Sequence, residues 1–151
     1  MTNLPAPSLL LLVLALCGCS ELDNCPDGSD QEVEITTGTT VRDPLMYWSA
    51  PWLGPRDPFP AKTMMRFRHD LGTTPELVSS YVSFKSEGYD VTENAGNQGR
   101  IYCVDNTDIW IKNDTCEESF YVRVAAWASG TTDTPCTCEE YFENPKACET
   151  N

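Results

Sequence analysis

The sequence predicts an all-β domain, a single antiparallel β-sandwich of about six or seven short strands with a disulfide-rich C-terminal tail. Three observations support this fold class. Short segments alternate apolar and polar residues at the two-residue period of a strand, and clusters of Gly, Asn, Asp, Thr and Pro separate them. No segment shows a sustained helical period. Three cysteines lie within the last sixteen residues, where disulfides can fix the end of the chain to the domain.

The first candidate strands flank a proline-rich segment. Residues 33–37, VEITT, form a short candidate strand. Residues 43–60 contain five prolines, which exclude a helix and a central strand, so we expect a loop or an edge segment. Residues 62–68 then alternate, which places three side chains on one predicted face: Thr63, Met65 and Phe67.

The middle of the chain predicts several further strands. Residues 76–85 form a long candidate strand whose inner face carries Val78, Val82 and Phe84. A short strand is expected at 89–92. Residues 100–104 and 109–112 are separated by a turn. In the first of these strands Ile101 and Cys103 lie on one side, and in the second Ile109 and Ile111 face one way.

The last strand, at residues 120–127, is the clearest. Alternate residues of this strand form two distinct faces. The face expected to point into the core carries Phe120, Val122, Val124 and Ala126. The face expected to point outwards carries Tyr121, Arg123, Ala125 and Trp127. After it, only residues 138–147 suit a short helix, which Pro145 limits.

Part of the β region resembles a known kind of module. Residues 69–78, HDLGTTPELV, followed by YVSF at 81–84, resemble a pattern of phage tail-fibre-type β modules. Residues 109–124 are similar to the closing strands of such modules. The resemblance implies a β fold and no binding residues.

The start of the chain has the character of an export signal. Residues 1–20 carry no charge, and residues 9–16 are an unbroken apolar run. Eight residues are too few for a membrane-spanning helix, which needs about 20, but suit a secretory signal. The sequence Leu16-Cys17-Gly18-Cys19 resembles the bacterial lipobox. That resemblance implies cleavage before Cys19 and attachment of a diacylglyceryl lipid to its sulfur. The alternative is an ordinary signal peptide.

The number of cysteines agrees with lipidation of Cys19. If Cys17 leaves with the signal and Cys19 carries lipid, an even set of six remains: Cys25, Cys103, Cys116, Cys136, Cys138 and Cys148. An even set in an exported chain indicates disulfides. Zinc is the alternative, although the one-residue spacer of Cys136-x-Cys138 is not typical of zinc knuckles. That spacer also strains a bridge between these two residues, and we expect Cys25 to pair with Cys138 or Cys148.

The charge is concentrated near the predicted mature start. The chain carries a formal net charge of −13, and six acidic residues precede the first basic one, Arg42. Such a stretch stays solvated and indicates a tether. Its residues partly match a calcium loop, but Cys25 occupies the third position, which bears a ligand, and Pro26 occupies the fourth, so a plain acidic linker is favoured. The acidity excludes nucleic acid and anionic lipid surfaces as partners.

The predicted plan has four parts. Residues 1–18 are a lipoprotein signal peptide, 19–32 an acidic tether, 33–130 the β-sandwich domain and 131–151 a Cys-rich tail. No catalytic motif, cofactor motif or metal motif is found in the sequence. The lone histidine, His69, lies between Arg68 and Asp70, a position that suits a surface ion pair.

These features predict a role in the cell envelope. We expect a lipid-anchored structural or interaction protein without catalytic activity, cofactor or metal, whose partner is the membrane plus an unknown protein or glycan. Ser20 carries no inner-membrane retention signal by family resemblance, which favours the outer membrane or cell surface. The alternative is a carbohydrate-binding module, because the aromatics Tyr47, Trp48 and Trp52 either cap the sandwich or stack on sugars. A hydrolase is third and needs a cleft that joins His69 to two carboxylates.

Overall fold

Ten strands in two packed sheets make up most of the described chain. The computed structural model describes residues 31–35, 37–94, 96–130 and 136–147. Its strands are β1 (Gln31–Ile35), β2 (Thr39–Arg42), β3 (Leu45–Trp48), β4 (Asp57–Phe59), β5 (Thr63–Arg68), β6 (Leu77–Ser83), β7 (Thr92–Glu93), β8 (Arg100–Val104), β9 (Asp108–Lys112) and β10 (Phe120–Ala128). One short helix follows, α1 (Cys138–Glu143), and single 3-10 turns lie at Gly96–Gln98 and Pro145–Ala147. The all-β prediction is confirmed.

Each sheet has its own strand order. The first sheet runs β1-β5-β9-β8 and the second runs β2-β3-β10-β6-β7, with β4 also paired to β10. All pairs are antiparallel except β1 with β5, which is parallel. The long strand β10 pairs with β6 along one side and with β3 and β4 in turn along the other. It is therefore the central strand of the second sheet.

The core is formed by the inward faces of β5, β9 and β10. Alternate residues of β5 and of the first five residues of β10 are buried, as the two-residue period predicts for sheets with one face on the core. Ala125, on the face of β10 predicted to point outwards, is also buried. The residues predicted to share one face of each of these strands are all buried: Thr63, Met65, Phe67, Ile109, Ile111, Phe120, Val122, Val124 and Ala126. The outward residues of β10 include Arg123, which is half-buried on the outer face.

The expectation of a loop or edge segment at residues 43–60 is wrong for its first part. Strand β3 lies between β2 and β10 and is therefore an interior strand. Its four residues contain no proline, since Pro44 precedes them and Pro51 follows them, so every backbone N–H there can join a ladder. Strand β4 does contain Pro58 and pairs on one side only, as an edge position requires.

The predicted inward position of Phe84 is also wrong. Strand β6 ends at Ser83, whose hydroxyl oxygen accepts the backbone N–H of Lys85 at 3.0 Å and turns the chain. Phe84 lies within that turn and is 67% exposed, with its ring edge-on to Phe120. On the strand itself, Val82 is buried as expected.

The tail contains the predicted short helix. Thr137 begins it with a capping box, in which its side chain accepts the Glu140 N–H and the Glu140 carboxylate accepts the Thr137 N–H. A disulfide joins Cys138 to Cys103 in β8. The predicted pairing of Cys25 with Cys138 is therefore wrong, whereas the expectation that Cys136 and Cys138 are not joined is confirmed.

The remaining cysteines fall into two groups. Cys116 and Cys136 each belong to a disulfide. Cys17, Cys19, Cys25 and Cys148 lie outside the described residues, so lipidation of Cys19 and the alternative pairing of Cys25 with Cys148 stay predictions. Strand β1 begins at Gln31, two residues before the predicted start of the domain. In the described part of the chain, no helix has the length and apolar composition needed to cross a membrane.

Truncation of Val122 to alanine tests the core. This side chain is fully buried, so its removal should lower the free energy of unfolding by about 1 to 3 kcal/mol through lost burial and a cavity. Val33→Ala is the matched control, because Val33 lies in the edge strand β1 and is 39% exposed. Urea denaturation measures both variants. Equal losses of stability would contradict the assigned face of β10.

Candidate functional site

The aromatic residues of the proline-rich segment separate into three environments. Tyr47 is buried in the core, where burial raises its pKa and its hydroxyl donates to the carbonyl of Thr37 at 3.3 Å. It is not available to a ligand. Trp48 is half-buried at the end of β3. Trp52, in the loop between β3 and β4, is 51% exposed. Of the three predicted ligand contacts, only Trp52 presents a large exposed ring.

Trp52 is supported by side chains from the second sheet. Tyr81 and Arg123 are cross-strand partners on β6 and β10. The Tyr81 ring meets the Trp52 ring edge-on at 5.2 Å, and the Arg123 guanidinium lies 4.9 Å from the Trp52 centroid. Both distances suit favourable aromatic and cation–π contacts. We call Trp52, Leu53, Arg56, Tyr81 and Arg123 the Trp52 surface.

Two arginines make this surface positive. Arg56 is only 5% exposed, and its Nη2 donates to the Trp52 carbonyl at 3.0 Å. Arg123 donates from Nε to the Ala50 carbonyl at 2.7 Å. Among the described residues, neither guanidinium forms an ion pair, and Nε and Nη1 of Arg56 have no hydrogen-bond partner. Burial lowers the pKa of both arginines, and the charge of Arg123 lowers that of Arg56 further.

The neighbouring loop, residues 84–90, packs tightly against Arg56. The backbone N–H of Arg56 donates to the Ser86 carbonyl at 3.0 Å, and that of Gly54 donates to Glu87 at 3.3 Å. Gly88 adopts a φ of 77°, and a Cβ there would lie 2.4 Å from Nε of Arg56. Glycine is therefore required for this close approach. Backbone hydrogen bonds between the β3–β4 loop and residues 84–90 therefore fix the loop that carries Trp52.

His69 is not in a surface ion pair, contrary to the sequence-based expectation. The side chain is fully buried. Its Nδ1 accepts the Leu71 backbone N–H at 3.1 Å, so Nε2 carries the proton and donates to the Asp105 carbonyl at 3.0 Å. Both partners are backbone groups, and burial lowers the pKa of the ring. His69 is a neutral structural residue, and no cleft joins it to two carboxylates within the described residues.

A cavity of about 490 Å³ lies on the other side of the molecule, which the sequence did not reveal. It is bounded by the outer face of the first sheet and by α1, and its lining residues are Gln31, Glu32, Met64, Arg66, Trp110, Glu139, Phe142 and Glu143. We call it the α1 cavity. Its volume lies within the usual range of small-molecule sites.

Arg66 and Trp110 lie together on the floor of the α1 cavity, since they are register partners on β5 and β9. The Arg66 guanidinium lies 5.1 Å from the Trp110 ring centroid and pairs with Asp108 at 2.8 Å and with Glu139 at 3.2 Å. The hydrogen bond to Asp108 raises the pKa of Arg66, so this residue stays charged. Phe142 of α1 meets Trp110 edge-on at 5.1 Å.

The position of α1 depends on Asp105, at the end of β8. Its carboxylate accepts backbone N–H groups of Thr107 at 2.7 Å, Asp108 at 2.7 Å and Cys138 at 2.8 Å. Burial alone would raise the pKa of Asp105, but these donors outweigh burial and hold it below its usual value. The helix is thus fixed to the sheet by a charge-assisted hydrogen bond and by the neighbouring disulfide.

Comparisons with known proteins identify no relative. Scans against family models, curated proteins and solved structures returned no match for this chain. The resemblance to phage tail-fibre-type modules therefore stays a prediction. Within the described ranges, no group of three or more His, Cys, Asp or Glu side chains is arranged to hold a metal ion.

The buried histidine predicts a loss of stability in weak acid. In the unfolded chain His69 titrates near pH 6.5, whereas burial lowers its pKa in the folded protein. As the pH falls below about 6.5, the unfolded state binds the proton first, so the free energy of unfolding decreases, by at most about 1.4 kcal/mol per pH unit. Urea denaturation at pH 7.5, 6.5 and 5.5 measures this slope.

His69 is the only histidine, so no other imidazole contributes to the slope. The NMR signals of its ring protons provide the control: they should titrate at lower pH in the folded protein than in the urea-unfolded chain. Stability that stays constant or rises from pH 7.5 to 5.5 would contradict the neutral, buried ring.

Proposed function

We propose that this protein is a non-catalytic binding protein of the bacterial cell envelope, anchored by a lipid on Cys19, that contacts its partner through the Trp52 surface. The observation that carries the proposal is the half-exposed Trp52 ring, held by Tyr81 and Arg123 rather than folded into the core. Large aromatics and arginines are enriched among the residues that dominate binding energy at interfaces. Leu53, 71% exposed, extends the apolar part of this surface.

The environment of His69 supports a non-catalytic role. Both ring nitrogens bond to backbone groups, and the side chain has no contact with solvent. A general base must reach the proton that it abstracts, and this imidazole does not. The hydrolase alternative, which depended on His69, therefore has no support from the geometry.

The proposed tether sets the height of the domain above the membrane. From Cys19 to Gln31, where β1 begins, there are 31 − 19 = 12 residue steps, which span about 40 Å when extended. The tether is acidic, so an anionic surface repels it. We propose the outer membrane or the cell surface as the location.

A glycan is the second candidate partner, and the two unpaired arginines favour an acidic one. A sugar ring can stack on the exposed face of Trp52 while a sugar carboxylate approaches Arg123. Arg56 is too buried for direct contact but adds positive potential beneath the surface. In a chain with 23 acidic and 10 basic residues, this local excess of positive charge favours an anionic ligand.

Substitution of Cys19 tests the anchor. The wild-type protein expressed in a bacterium should sediment with membranes and enter the detergent phase on phase partitioning. Cys19→Ala should remain soluble or unprocessed, because the acylated sulfur is lost. Cys17→Ala is the matched control and should behave as the wild type. Equal partitioning of Cys19→Ala and wild type would contradict lipidation.

Substitution of Trp52 tests the binding surface. On an array of neutral and uronic-acid oligosaccharides, the wild type should bind the acidic members selectively. Trp52→Ala should weaken binding by about 2 kcal/mol or more, the cost typical of a central interface aromatic, and Arg123→Gln should remove the preference for acidic sugars. Isothermal titration calorimetry measures both effects on one array hit.

Trp127→Ala is the matched control, because Trp127 lies further along β10 and is half-buried. It should keep the affinity of the wild type. Binding that Trp127→Ala loses and Trp52→Ala retains would contradict the assignment. An array without acidic hits, combined with capture of an envelope protein that Trp52→Ala abolishes, would indicate a protein partner instead.

A further inference from the structure

We propose that the partner of the Trp52 surface is a second copy of this chain, bound face to face through the outer side of the second sheet. The inference rests on the proposed function, because it names the partner of the surface defined there. We call the outward residues of β2, β3, β10, β6 and β7 the second-sheet face. Its composition, the arrangement of its charges and its exposed apolar side chains support a contact between two copies.

The second-sheet face is poor in charge, unlike the outer face of the first sheet. On the first sheet β5 presents Arg66 and Arg68 outwards, and β1 presents Glu32 and Glu34 beside them. Among the described strands, the outward positions of the second sheet carry only two charged side chains, one of each sign. Two copies of a chain with net charge −13 repel each other, and a balanced face lets them meet without adding local repulsion.

Aromatic residues and methionine take the place of charges on this face. Cross-strand neighbours there include Met46 with Trp127 and Trp48 with Ala125. Leu77, the partner of Trp127 on β6, is 56% exposed. Protein interfaces are depleted in charge at their centre and enriched in aromatic residues, Met and Arg. The composition of the second-sheet face is therefore that of an interface.

The two charges of the face lie on opposite sides of β6. Tyr81 is the centre of a cross-strand row, with Arg123 of β10 on one side and Glu93 of β7 on the other. Because adjacent strands are about 4.8 Å apart, the two charged residues are separated by roughly 10 Å. Among the described residues, neither side chain forms an ion pair. In a two-fold interface residue i of one copy contacts residue j of the other and j contacts i, so such a row is self-complementary.

A two-fold axis along β6 pairs both charges at once. A copy turned over about this axis places its β7 above β10 of the first copy and its β10 above β7. Arg123 of each copy then meets Glu93 of the other, while Tyr81 and Leu77 each meet their own counterparts. Nε of Arg123 donates to the Ala50 carbonyl, and its Nη nitrogens are not enclosed, so they can donate charge-assisted hydrogen bonds to the carboxylate.

Trp52 and Leu53 enlarge the contact beyond the strands, since they are 51% and 71% exposed. Three strands of about seven residues cover roughly 14 Å by 24 Å, less than the ~800 Å² that each partner buries in a standard interface. We therefore expect a weak dimer. The proposed lipid anchor holds the copies in one membrane, which raises their effective concentration.

Sedimentation velocity on the full chain, in a density-matched non-ionic detergent, tests the dimer. The wild type should pass from monomer to dimer as its concentration rises through the micromolar range. Trp52→Ala should weaken dimerisation by roughly 10-fold or more, as expected for a central interface aromatic. Glu117→Arg is the control, because Glu117 is exposed and lies outside the second-sheet face. A wild-type chain that stays monomeric at millimolar concentration would overturn the proposal.

Charge reversal tests the two-fold axis. Arg123→Glu sets two carboxylates against each other at each contact, and Glu93→Arg sets two guanidinium groups there. Each variant alone should dimerise at least roughly 10-fold more weakly than the wild type. An equimolar mixture should recover dimerisation, because every contact again joins opposite charges. Variants that stay monomeric when mixed, or that dimerise alone as the wild type does, would show that the charges do not meet in this way and overturn the proposal.

Photo-cross-linking in intact cells gives a readout that does not require a charge variant to fold. Benzoylphenylalanine in place of Leu77, on the proposed axis, should give an adduct of twice the chain mass in which both linked peptides come from β6. The same probe in place of Val33, on β1 of the first sheet, should give none. An adduct with a different protein, or equal adducts from the two positions, would overturn the proposal.

Failure of the dimer can be distinguished from failure of the proposed function. A monomeric chain that binds an acidic glycan, and loses that binding in Trp52→Ala, would overturn the dimer and support the Trp52 surface. A monomeric chain whose glycan and protein binding is unchanged in Trp52→Ala would contradict both.

Discussion

Asp105 connects three parts of the chain through its carboxylate and its backbone carbonyl. The carboxylate oxygens accept N–H groups from the turn that leads into β9 and from the first residue of α1, while the backbone carbonyl accepts the ring Nε2–H of His69, which follows β5. Hydrogen bonds to a buried charge are among the stronger ones in proteins. A six-residue helix is not stable alone, so α1 depends on this bond and on the Cys103–Cys138 disulfide. The α1 cavity exists because these two constraints act at adjacent points.

Sequence alternation predicts the buried faces of β5, β9 and β10, whose inner residues are apolar except for Thr63. It does not predict that Trp110 and Ala125, on the opposite faces of β9 and β10, are buried as well. The prediction of a loop or edge segment for residues 43–60 fails at β3, because the five prolines of this segment all lie outside the four residues of the strand. Phe84 was misplaced because a hydroxyl of Ser83 ends β6, and periodicity carries no information about that local bond. The fold class was therefore predictable, whereas strand ends and sheet order were not.

The functional surfaces were less predictable because they depend on contacts that are distant in sequence. Trp52 was a candidate, but its exposure is set by Tyr81 and Arg123 of other strands. His69 was assigned to a surface ion pair from its charged neighbours, yet its partners are backbone groups that have no signature in the sequence. The α1 cavity depends on one cysteine pairing among the 15 that six cysteines allow. The sequence shows which residue types are present, whereas the disulfide pairing determines which of them lie together in the folded chain.

The only histidine, His69, is buried, so the surface charge of the protein changes little with pH near neutrality. No other side chain in the chain has an ordinary pKa between 5 and 8. The Trp52 surface uses guanidinium groups, which stay protonated around neutrality although burial lowers their pKa. We propose that this chain is exported, and an exported protein experiences the acidity of its surroundings directly. The electrostatic potential that a partner encounters is nearly independent of that acidity. Acidification instead lowers the free energy of unfolding, because it protonates His69 in the unfolded chain.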